Sequence, residues 1–489
     1  MNRRRFLLVS GAAVAALAAP AIPSRRATAA EPGAPLPIPQ ILDAGPGAGN
    51  TLNALSGSRD FVPGVPSPTL GYEGDYLGPT LRMRRGSEAR LAISNRTGEA
   101  ITTHWHGMHI PGDMDGGPQL LFGEGETWAP TLPVDQPAAT LWYHSHVHGH
   151  TADQVYRGLA GLIIVDDPDI ADPLPRDYGV NDIPLVVQDR SFSGGRMVYD
   201  LGMMGRMQGF HGNEVLVNGV VRPLAAVPAG LVRLRLLNGS NARVYDFYFE
   251  DGRQFHRVAS DGGLLPAPLP ATALSLAPGE RAEIVADFSD GRAVRLMSAD
   301  TGGMMGMMGG GMMGGGGRRG GLHVMTFEGS APAGDGPTAL PDRLPAQIPD
   351  LGQPQRQRDF VLNMGAGGMM GMMGGMFGGG GGMGINGRSY DMGRIDQQVP
   401  LGQTELWRIN ADMMTHPFHV HGTSFLVLRQ NGRSVDPMRM GLKDVIHVGG
   451  PTEILVRFDK PASAQTPYMF HCHILEHEDS GMMGQFTVG

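Results

Sequence analysis

The stretch HCHILEHEDSGMM, residues 471–483, combines the single cysteine of the chain with three histidines and two adjacent methionines. Successive side chains of a β-strand point to opposite faces, so the two histidines beside Cys472 share one face while the thiol points to the other. The imidazoles can therefore bind one metal centre and the thiolate another behind it. His416, His477 and Met482 could complete a site of two imidazoles, one thiolate and a weak thioether, which is diagnostic of blue copper rather than structural zinc.

Histidines spaced His-x-His recur along the chain, at positions 104/106, 144/146, 146/148, 148/150, 419/421 and 471/473. Seventeen histidines placed at random would give roughly 0.6 such pairs, so the clustering needs a cause. The segments LAGLIIV (159–165) and SFLVL (424–428), which follow two of the clusters, are typical of strands. Four such pairs would bring eight imidazoles around one point, and imidazole binds copper, iron, nickel and zinc alike.

Length, charge and cysteine usage limit the class of protein. A chain of 489 residues exceeds one hydrophobic core, and roughly 150 residues per domain give about three domains. The formal net charge of -8 argues against nucleic acid as a partner, since phosphate binding needs a basic surface. One cysteine cannot form an internal disulfide, and its histidine neighbours favour metal ligation over an ordinary buried thiol.

The N-terminus has the features of an export signal. Arginines at 3–5 precede an alanine-rich apolar stretch over 6–22, and small residues at 27–29 offer a cleavage site. The apolar stretch is short and contains Pro20, which argues against a membrane anchor. We predict a twin-arginine signal peptide over 1–29, a periplasmic location and no membrane span in the mature protein.

Four histidine motifs lie towards the two ends of the chain: HWHG (104–107), WYHSH (142–146), HPFHVH (416–421) and the segment from His471 to Met482. Together they resemble the four copper motifs of multicopper oxidases, and the resemblance extends from about residue 50 to the C-terminus. The segments HWHGMHIPGDMDGGPQ (104–119) and DMMTHPFHVHGTSF (412–425) look closest to bacterial periplasmic copper efflux oxidases, which are cuprous oxidases.

The resemblance implies four copper ions, one of type 1, one of type 2 and two of type 3. It assigns the type 1 copper to His416, Cys472 and His477, with Met482 as the axial ligand and Met483 as a neighbour that the sequence does not exclude. The remaining ligands follow the same pattern: His104 and His419 for type 2, His106, His144 and His473 for one type 3 copper, and His146, His421 and His471 for the other.

The resemblance also implies roles for four further side chains. Asp115 and Glu478 match acidic residues that supply the protons consumed when oxygen is reduced. The alternative is that Glu478 supports the ligands and Asp115 forms a turn with the glycines that follow it. Asp412 and Met414 match positions that hold substrate copper in the copper efflux oxidases.

Short apolar runs separated by frequent turns predict an all-β chain made of β-sandwiches. The resemblance implies three cupredoxin-like Greek-key β-sandwich domains, which we place at 35–168, 180–330 and 355–489. It also implies that the trinuclear copper cluster lies between the first and third domains and the type 1 site within the third. The middle domain is then expected to act as a spacer.

Two segments rich in glycine and methionine interrupt this arrangement, a loop at 302–317 in the second domain and an insert at 364–384 in the third. Their glycine content is typical of flexible linkers. Their thioethers are soft ligands that favour Cu(I). Copper efflux oxidases resemble this chain here as well, because they carry a methionine-rich insert near the type 1 site.

Three functions compete for this ligand set. The first is a monomeric cuprous oxidase with a role in copper tolerance, which oxidises Cu(I) to Cu(II) and reduces O2 to water with four electrons. The second is a laccase-like oxidase that takes electrons from phenols and aromatic amines. The third, copper storage without turnover, is disfavoured because storage needs no thiolate link to an oxygen site. A two-copper nitrite reductase is disfavoured because it lacks the paired type 3 motifs.

Overall fold

The computed structural model describes residues 33–45, 50–299, 321–330, 336–365 and 382–489. The predicted signal peptide, the loop at 302–317 and most of the insert at 364–384 lie outside these described residues. Strands account for 49% of the residues and helices for 7%, which confirms the all-β prediction. Within the described residues, every helix is too short or too polar to cross a membrane.

The first sandwich contains ten strands and one α-helix. Its sheets have the strand orders β1-β4-β10-β9-β6 and β3-β2-β5-β7, with β8 paired to β5. Apolar side chains of both sheets, among them Leu52, Ile93, Leu141 and Ile163, form the core between them. The elements are β1 (Ile41–Asp43), β2 (Asn50–Val62), β3 (Val65–Tyr72), β4 (Thr80–Arg84), β5 (Glu88–Arg96), β6 (His104–His106), two 3-10 turns (Gly112–Met114 and Pro118–Leu120), β7 (Thr127–Trp128), β8 (Thr131–Pro133), β9 (Ala139–His144), α1 (Thr151–Arg157) and β10 (Ala160–Asp166).

Among the residues that the structure describes, the second sandwich contains thirteen strands and a short helix. One sheet has the order β14-β13-β11-β16-β21-β18-β19 with β12 on β11, and the other has the order β15-β23-β22-β17-β20. Leu185, Leu234, Phe247 and Leu296 lie in the core between them. The elements are β11 (Asp182–Ser193), β12 (Arg196–Val198), α2 (Met203–Gln208), β13 (Glu214–Val217), β14 (Val220–Val221), β15 (Leu224–Pro228), β16 (Leu231–Asn238), β17 (Tyr245–Phe249), β18 (Phe255–Ser260), β19 (Gly263–Ala271), β20 (Leu274–Leu276), β21 (Arg281–Asp287), β22 (Val294–Ala299) and β23 (Leu322–Ser330).

In its described part, which leaves out residues 366–381, the third sandwich contains eleven strands and two short helices. Its sheets have the orders β25-β24-β27-β32-β29-β30 and β26-β34-β33-β28-β31. Trp407, Ile409, Phe418 and Phe470 belong to its core, which also includes Cys472. The elements are β24 (Arg356–Asn363), β25 (Gly384–Ile385), β26 (Gln397–Val399), β27 (Thr404–Ala411), β28 (His416–Val420), β29 (Phe425–Gln430), β30 (Arg433–Ser434), α3 (Pro437–Met440), β31 (Val445–Val448), β32 (Thr452–Arg457), β33 (Tyr468–Cys472), α4 (Leu475–Asp479) and β34 (Met483–Val488).

The histidine motifs lie on paired strands of the first and third sandwiches. In the first, β6 pairs with β9 so that His104 lies opposite His144. In the third, β28 pairs with β33 so that His419 lies opposite His471. The imidazoles of His104 and His421 stack with their ring centroids 3.9 Å apart, which joins the two sandwiches at the histidines.

Candidate metal centres

The side chains of His416, Cys472 and His477 form a buried triangle in the third sandwich. The Sγ atom of Cys472 is 3.4 Å from Nδ1 of His416 and 3.7 Å from Nδ1 of His477, and the two nitrogens are 3.2 Å apart. Three ligand atoms around one metal at roughly 2.1 Å would be separated by roughly 3.6 Å, so the triangle has the size of a trigonal copper site.

The chain reverses after Cys472 to bring His477 into this triangle. The amide of His477 donates to the carbonyl of Ile474 in the first turn of α4. The amide of Met482 then donates to the carbonyl of His477, and the amide of Cys472 donates to the carbonyl of Met482. Met482 is fully buried in the same core cluster as Cys472, whereas the neighbouring Met483 lies outside that cluster. The packing therefore favours Met482 over Met483 as the axial thioether.

The neighbours of Cys472 face the opposite side of the strand, as expected from the alternation. They join six other imidazoles, and all eight are no more than 1% exposed. Potential ligand atoms within 4.8 Å of one another define three groups of histidines: 104, 106 and 419; 106, 144 and 473; and 146, 421 and 471. The last two groups contain the same residues that the resemblance implies for the two type 3 coppers, and the first contains the pair that it implies for the type 2 copper.

Several ring nitrogens in these groups are buried and have no hydrogen-bond partner within the protein. They include Nε2 of His104, His144 and His419 and both nitrogens of His473. A buried polar atom without a partner costs about 1–3 kcal/mol, so such a concentration of them is unusual in a folded protein. Metal coordination would satisfy these nitrogens, and the donor set fits copper.

Asp115 and Glu478 lie against outer nitrogens of the clustered histidines, and Asp115 contacts His104 as well as His421. Oδ2 of Asp115 is 2.7 Å from Nδ1 of His421. Oε1 and Oε2 of Glu478 are 3.3 and 3.2 Å from Nδ1 of His146 and His471, respectively. Nε2 of His471 lies 3.3 Å from Nε2 of His146 and 3.2 Å from Nε2 of His421, so all three imidazoles have Nε2 towards the centre, and Nδ1 of His471 also faces the main-chain carbonyl of Cys472 at 3.0 Å. The carboxylates therefore hold the ligands in place, and both are close enough to exchange protons with the site.

Asp412 and Met414 lie at the surface side of the type 1 triangle. Oδ1 of Asp412 accepts from the amide of Met364 at 2.9 Å, and Oδ2 accepts from Nδ2 of Asn363 at 3.1 Å. Met414 is partly buried against the core cluster that holds Cys472, and Met413 beside it is 65% exposed. The two predicted substrate residues thus lie close to His416, and Asp412 contacts Met364, the first residue of the methionine-rich insert.

The middle sandwich reaches the type 1 triangle, so the expectation that it acts only as a spacer is wrong. The main-chain carbonyl of Met207 in α2 accepts from Nε2 of His477 at 3.1 Å. Buried Glu476, the residue before His477, accepts from the hydroxyl of Tyr199 at 2.7 Å and from the amide of Phe210 at 3.1 Å. Since these two residues flank α2, Glu476 fixes both ends of the helix that covers His477. The methionines of MMGRMQ (203–208) are the one feature of the sequence that could have marked this helix.

We expect the copper-free protein to lose stability as the pH falls below about 6.5, the pKa of an unperturbed histidine. Burial lowers the pKa of many of the histidines, among them His109, His146 and His416, to about 4, and His473 and His477, to about 3. Because each folded pKa lies below the unfolded value, the unfolded chain binds more protons in this range. The stabilisation is complete above the unfolded pKa and is lost as the pH falls towards the folded values.

Each of these groups can contribute up to about 1.4 kcal/mol per pH unit, so the free energy of unfolding should fall by several kcal/mol between about pH 7 and 5. Urea unfolding of the copper-free protein at both pH values measures this change. The copper-loaded protein is the control, since bound metal competes with protons and should reduce the loss. An equal free energy of unfolding at both pH values in the copper-free protein would contradict the expectation.

The geometry agrees with comparisons to known proteins. Two family models, both described as multicopper oxidase, match residues 56–170 and 353–489. The chain belongs to the multicopper oxidase family. These two ranges contain all the histidine groups described above.

Proteins that are similar to this chain over most or all of its length are described as having different functions. The chain is 38% identical to the cell division protein FtsP of Salmonella typhimurium, with 100% of this chain and 98% of the relative covered. It is 40% identical to the laccase-like multicopper oxidase CueO of Ochrobactrum sp., which oxidises lignin model compounds, with a TM-score of 0.84 and 93% and 100% of the two chains covered. It is 27% identical to the multicopper oxidase of Campylobacter jejuni, a metallo-oxidase, with a TM-score of 0.77 and 94% and 98% covered. The relatives support the family without separating cuprous oxidases from its other members.

Proposed function

We propose that this chain is a four-copper oxidase that oxidises Cu(I) to Cu(II) and reduces O2 to water. The observation that carries the proposal is the back-to-back arrangement of two ligand sets, with Cys472 in one and both of its neighbours in the other. Bound copper would supply one-electron redox chemistry at both sites. Asp412, Met414 and the ligands of the type 1 triangle would serve the oxidation of substrate, and the eight clustered histidines would serve the reduction of oxygen.

The protein itself would provide a route for electrons, a pocket closed to bulk water and a supply of protons. The route from the thiolate of Cys472 to the imidazoles on either side runs through covalent bonds of adjacent residues. The burial of all eight imidazoles excludes bulk water from the pocket where oxygen would be reduced. Asp115 and Glu478 lie at its edge, where a carboxylate can take up protons and pass them inward.

The surface around the type 1 triangle supports Cu(I) as the substrate over phenols. The carbonyl of Met207 covers Nε2 of His477, so a bulky aromatic reductant cannot contact that edge of the ligand. Met204 in the same helix is 56% exposed, and Met413 near His416 is 65% exposed. Thioethers at the surface are soft ligands that suit a small Cu(I) ion. A laccase-like oxidation of phenols is the alternative, supported by the relative from Ochrobactrum sp..

The N-terminal sequence supports a periplasmic location for this reaction. The arginines at 3–5 and the apolar stretch after them fit export by the twin-arginine route. We place the enzyme in the periplasm as a monomer, where removal of Cu(I) would contribute to copper tolerance.

Oxygen uptake by the copper-loaded protein tests the proposal. Oxidation of four Cu(I) ions should consume one O2 and leave water, and the rate should exceed that of free copper under the same conditions. Copper binding without oxygen uptake would instead favour storage and overturn the proposal.

Replacing Met414 by leucine should separate the two substrate classes. The change removes a thioether but keeps the volume, so kcat/KM for Cu(I) should fall about 10-fold while that for 2,6-dimethoxyphenol stays within about 2-fold. Met438→Leu is the matched control, because Met438 is an exposed methionine of α3. Equal losses for both substrates in Met414→Leu would contradict a cuprous oxidase.

A role in cell division is a second candidate, supported by identity with the FtsP proteins along the whole chain. Such a role need not use the ligand sets. A strain that lacks this protein can be complemented with the wild type or with Cys472→Ser, and both division and survival in copper can be scored. If Cys472→Ser restores division but not copper tolerance, the two roles are separate. If it restores both, the oxidase proposal fails.

A further inference from the structure

A buried ion pair from the middle sandwich lies against the histidine groups. Arg281 begins β21, and Asp444 directly precedes β31 in the third sandwich. Nη1 and Nη2 of Arg281 donate to the two carboxylate oxygens of Asp444 at 2.6 Å each, and both side chains are 0% exposed. The remaining donors of Arg281 are bound by three main-chain carbonyls, those of Thr140, Gly279 and Asp261. Because all five N–H groups of the guanidinium are bound, its plane is fixed.

Asp444 contacts two histidines from different sandwiches. Its Oδ1 is 3.1 Å from Nε2 of His106, and its main-chain carbonyl is 2.8 Å from Nδ1 of His419. The two imidazoles stack on each other with their centroids 3.7 Å apart and their planes 9° apart. Asp444 therefore sets the orientation of one histidine from the first sandwich and one from the third.

His106 is turned the opposite way from its neighbours. Nδ1 of His104, His144 and His419 faces main-chain carbonyls at 2.8 Å, which leaves Nε2 as the buried nitrogen without a partner. In His106, Nε2 faces Asp444 and Nδ1 is the buried nitrogen without a partner. A neutral imidazole carries one N–H, so a carboxylate at Nε2 places the hydrogen there and leaves the lone pair of Nδ1 free for a metal.

The backbone around this ion pair leaves it no room to shift. A Cβ atom added to Gly107 would lie 2.8 Å from both Nη2 of Arg281 and Oδ2 of Asp444. A Cβ atom added to Gly279 would lie 2.9 Å from the imidazole of His473. The main chain of the first and second sandwiches is thus packed directly against the ion pair and the histidines.

We propose that Arg281 and Asp444 are positioning residues for the trinuclear copper cluster, through which the middle sandwich holds His106 as the tautomer that binds metal through Nδ1. The inference rests on the proposed four-copper function. Without Arg281, Asp444 would be an uncompensated buried charge and would no longer be held against His106. Outer partners of metal-ligating histidines change metal affinity by about 10- to 100-fold when they are replaced, so the pair should matter on that scale.

The test compares Arg281→Met, Arg281→Lys and Asp444→Asn with the wild type. The matched control is Arg233→Met, which removes a buried arginine of β16 whose partners are Glu283 and Asp172, away from the histidines. Copper bound per chain, resistance to a chelator and the electron paramagnetic resonance of type 2 copper are measured. The blue absorption of type 1 copper and circular dichroism report whether each variant is folded.

In Arg281→Met and Asp444→Asn, we expect trinuclear copper to bind about 10- to 100-fold more weakly with an altered type 2 resonance, while the blue absorption remains. Arg281→Lys keeps the charge and should lie between them and the wild type, and Arg233→Met should match the wild type. Unchanged affinity and resonance in both variants would overturn the inference alone, as would an equal loss in Arg233→Met. A wild type that binds no trinuclear copper would overturn the proposed function as well.

Discussion

Cys472→Ser should abolish the blue absorption and lower the rate of substrate oxidation by at least about three orders of magnitude. The Sγ atom lies 3.4 and 3.7 Å from the two ligand imidazoles, and it is the only thiol sulfur in the chain. A serine hydroxyl is a hard, protonated group that cannot replace a thiolate as a copper ligand. Without the copper–sulfur bond, the covalent route through residues 471–473 is no longer connected to the type 1 copper. The expected product is a protein that still holds copper in the trinuclear cluster but cannot transfer electrons from the substrate to it.

Absorption spectra, copper content and electron paramagnetic resonance measure this result. The type 1 signal should disappear with the loss of one copper per chain, while the type 2 signal stays. Met482→Leu and Met483→Leu are informative companions, because only the first removes the proposed axial thioether. Both should remain blue, and only Met482→Leu should change the reduction potential, as expected for an axial ligand. A blue Cys472→Ser protein would show that the type 1 site is elsewhere.

The chemistry near Cys472 could be predicted because strand alternation is a local rule. The spacing His-Cys-His sets which side chains share a face, and the pairing of Phe418 with Cys472 brings the third motif beside the fourth. The same rule applies to the pair His104 and His106 in β6. The all-β class could also be predicted, since short alternating strands and frequent turns leave few other folds.

The contribution of the middle sandwich could not be predicted, because it depends on contacts between distant residues without a motif. Arg281 and Asp444 are 163 positions apart, and neither has a neighbour that suggests metal chemistry. Glu476 contacts Tyr199 across 277 positions and Phe210 across 266. Hydropathy and spacing do not determine how three sandwiches dock. The lack of histidine motifs in the second domain favours a spacer, and nothing else in that segment indicates the contacts that it makes.

The roles of Asp115 and Glu478 could be predicted from the sequence only in part. The resemblance implies that they are acidic residues close to oxygen, and the structure places Glu478 against His146 and His471, and Asp115 against His421 and His104. This placement is compatible with support of the ligands as well as with proton transfer. Only a change that keeps the shape of the carboxylate and removes its proton affinity can distinguish the two roles.

Glu478→Gln should slow the oxidation of the fully reduced protein by O2 by about 100-fold or more, since general acid–base groups contribute about 10²- to 10⁴-fold. Burial alone would raise the pKa of Glu478, but the adjacent imidazoles of His146, His471 and His473 lower it well below its usual range. The side chain is therefore ionised at neutral pH, and in a relay it would carry a proton only transiently, between its uptake from outside and its transfer to the cluster. An amide cannot do this. Rapid mixing of the reduced protein with O2 measures the rate.

Glu476→Gln is the matched control, because Glu476 is a buried carboxylate of the same helix that contacts Tyr199 and Asn241 instead of the clustered histidines. It should leave the reaction with O2 unchanged. Reduction of the type 1 copper by Cu(I) should be unchanged in Glu478→Gln, since that step needs no proton at the cluster. If Glu478→Gln reacts with O2 as fast as the wild type, the carboxylate only supports its ligands. Asp115, a buried carboxylate whose Oδ2 contacts His421 in the same histidine group, would then be the next residue to replace.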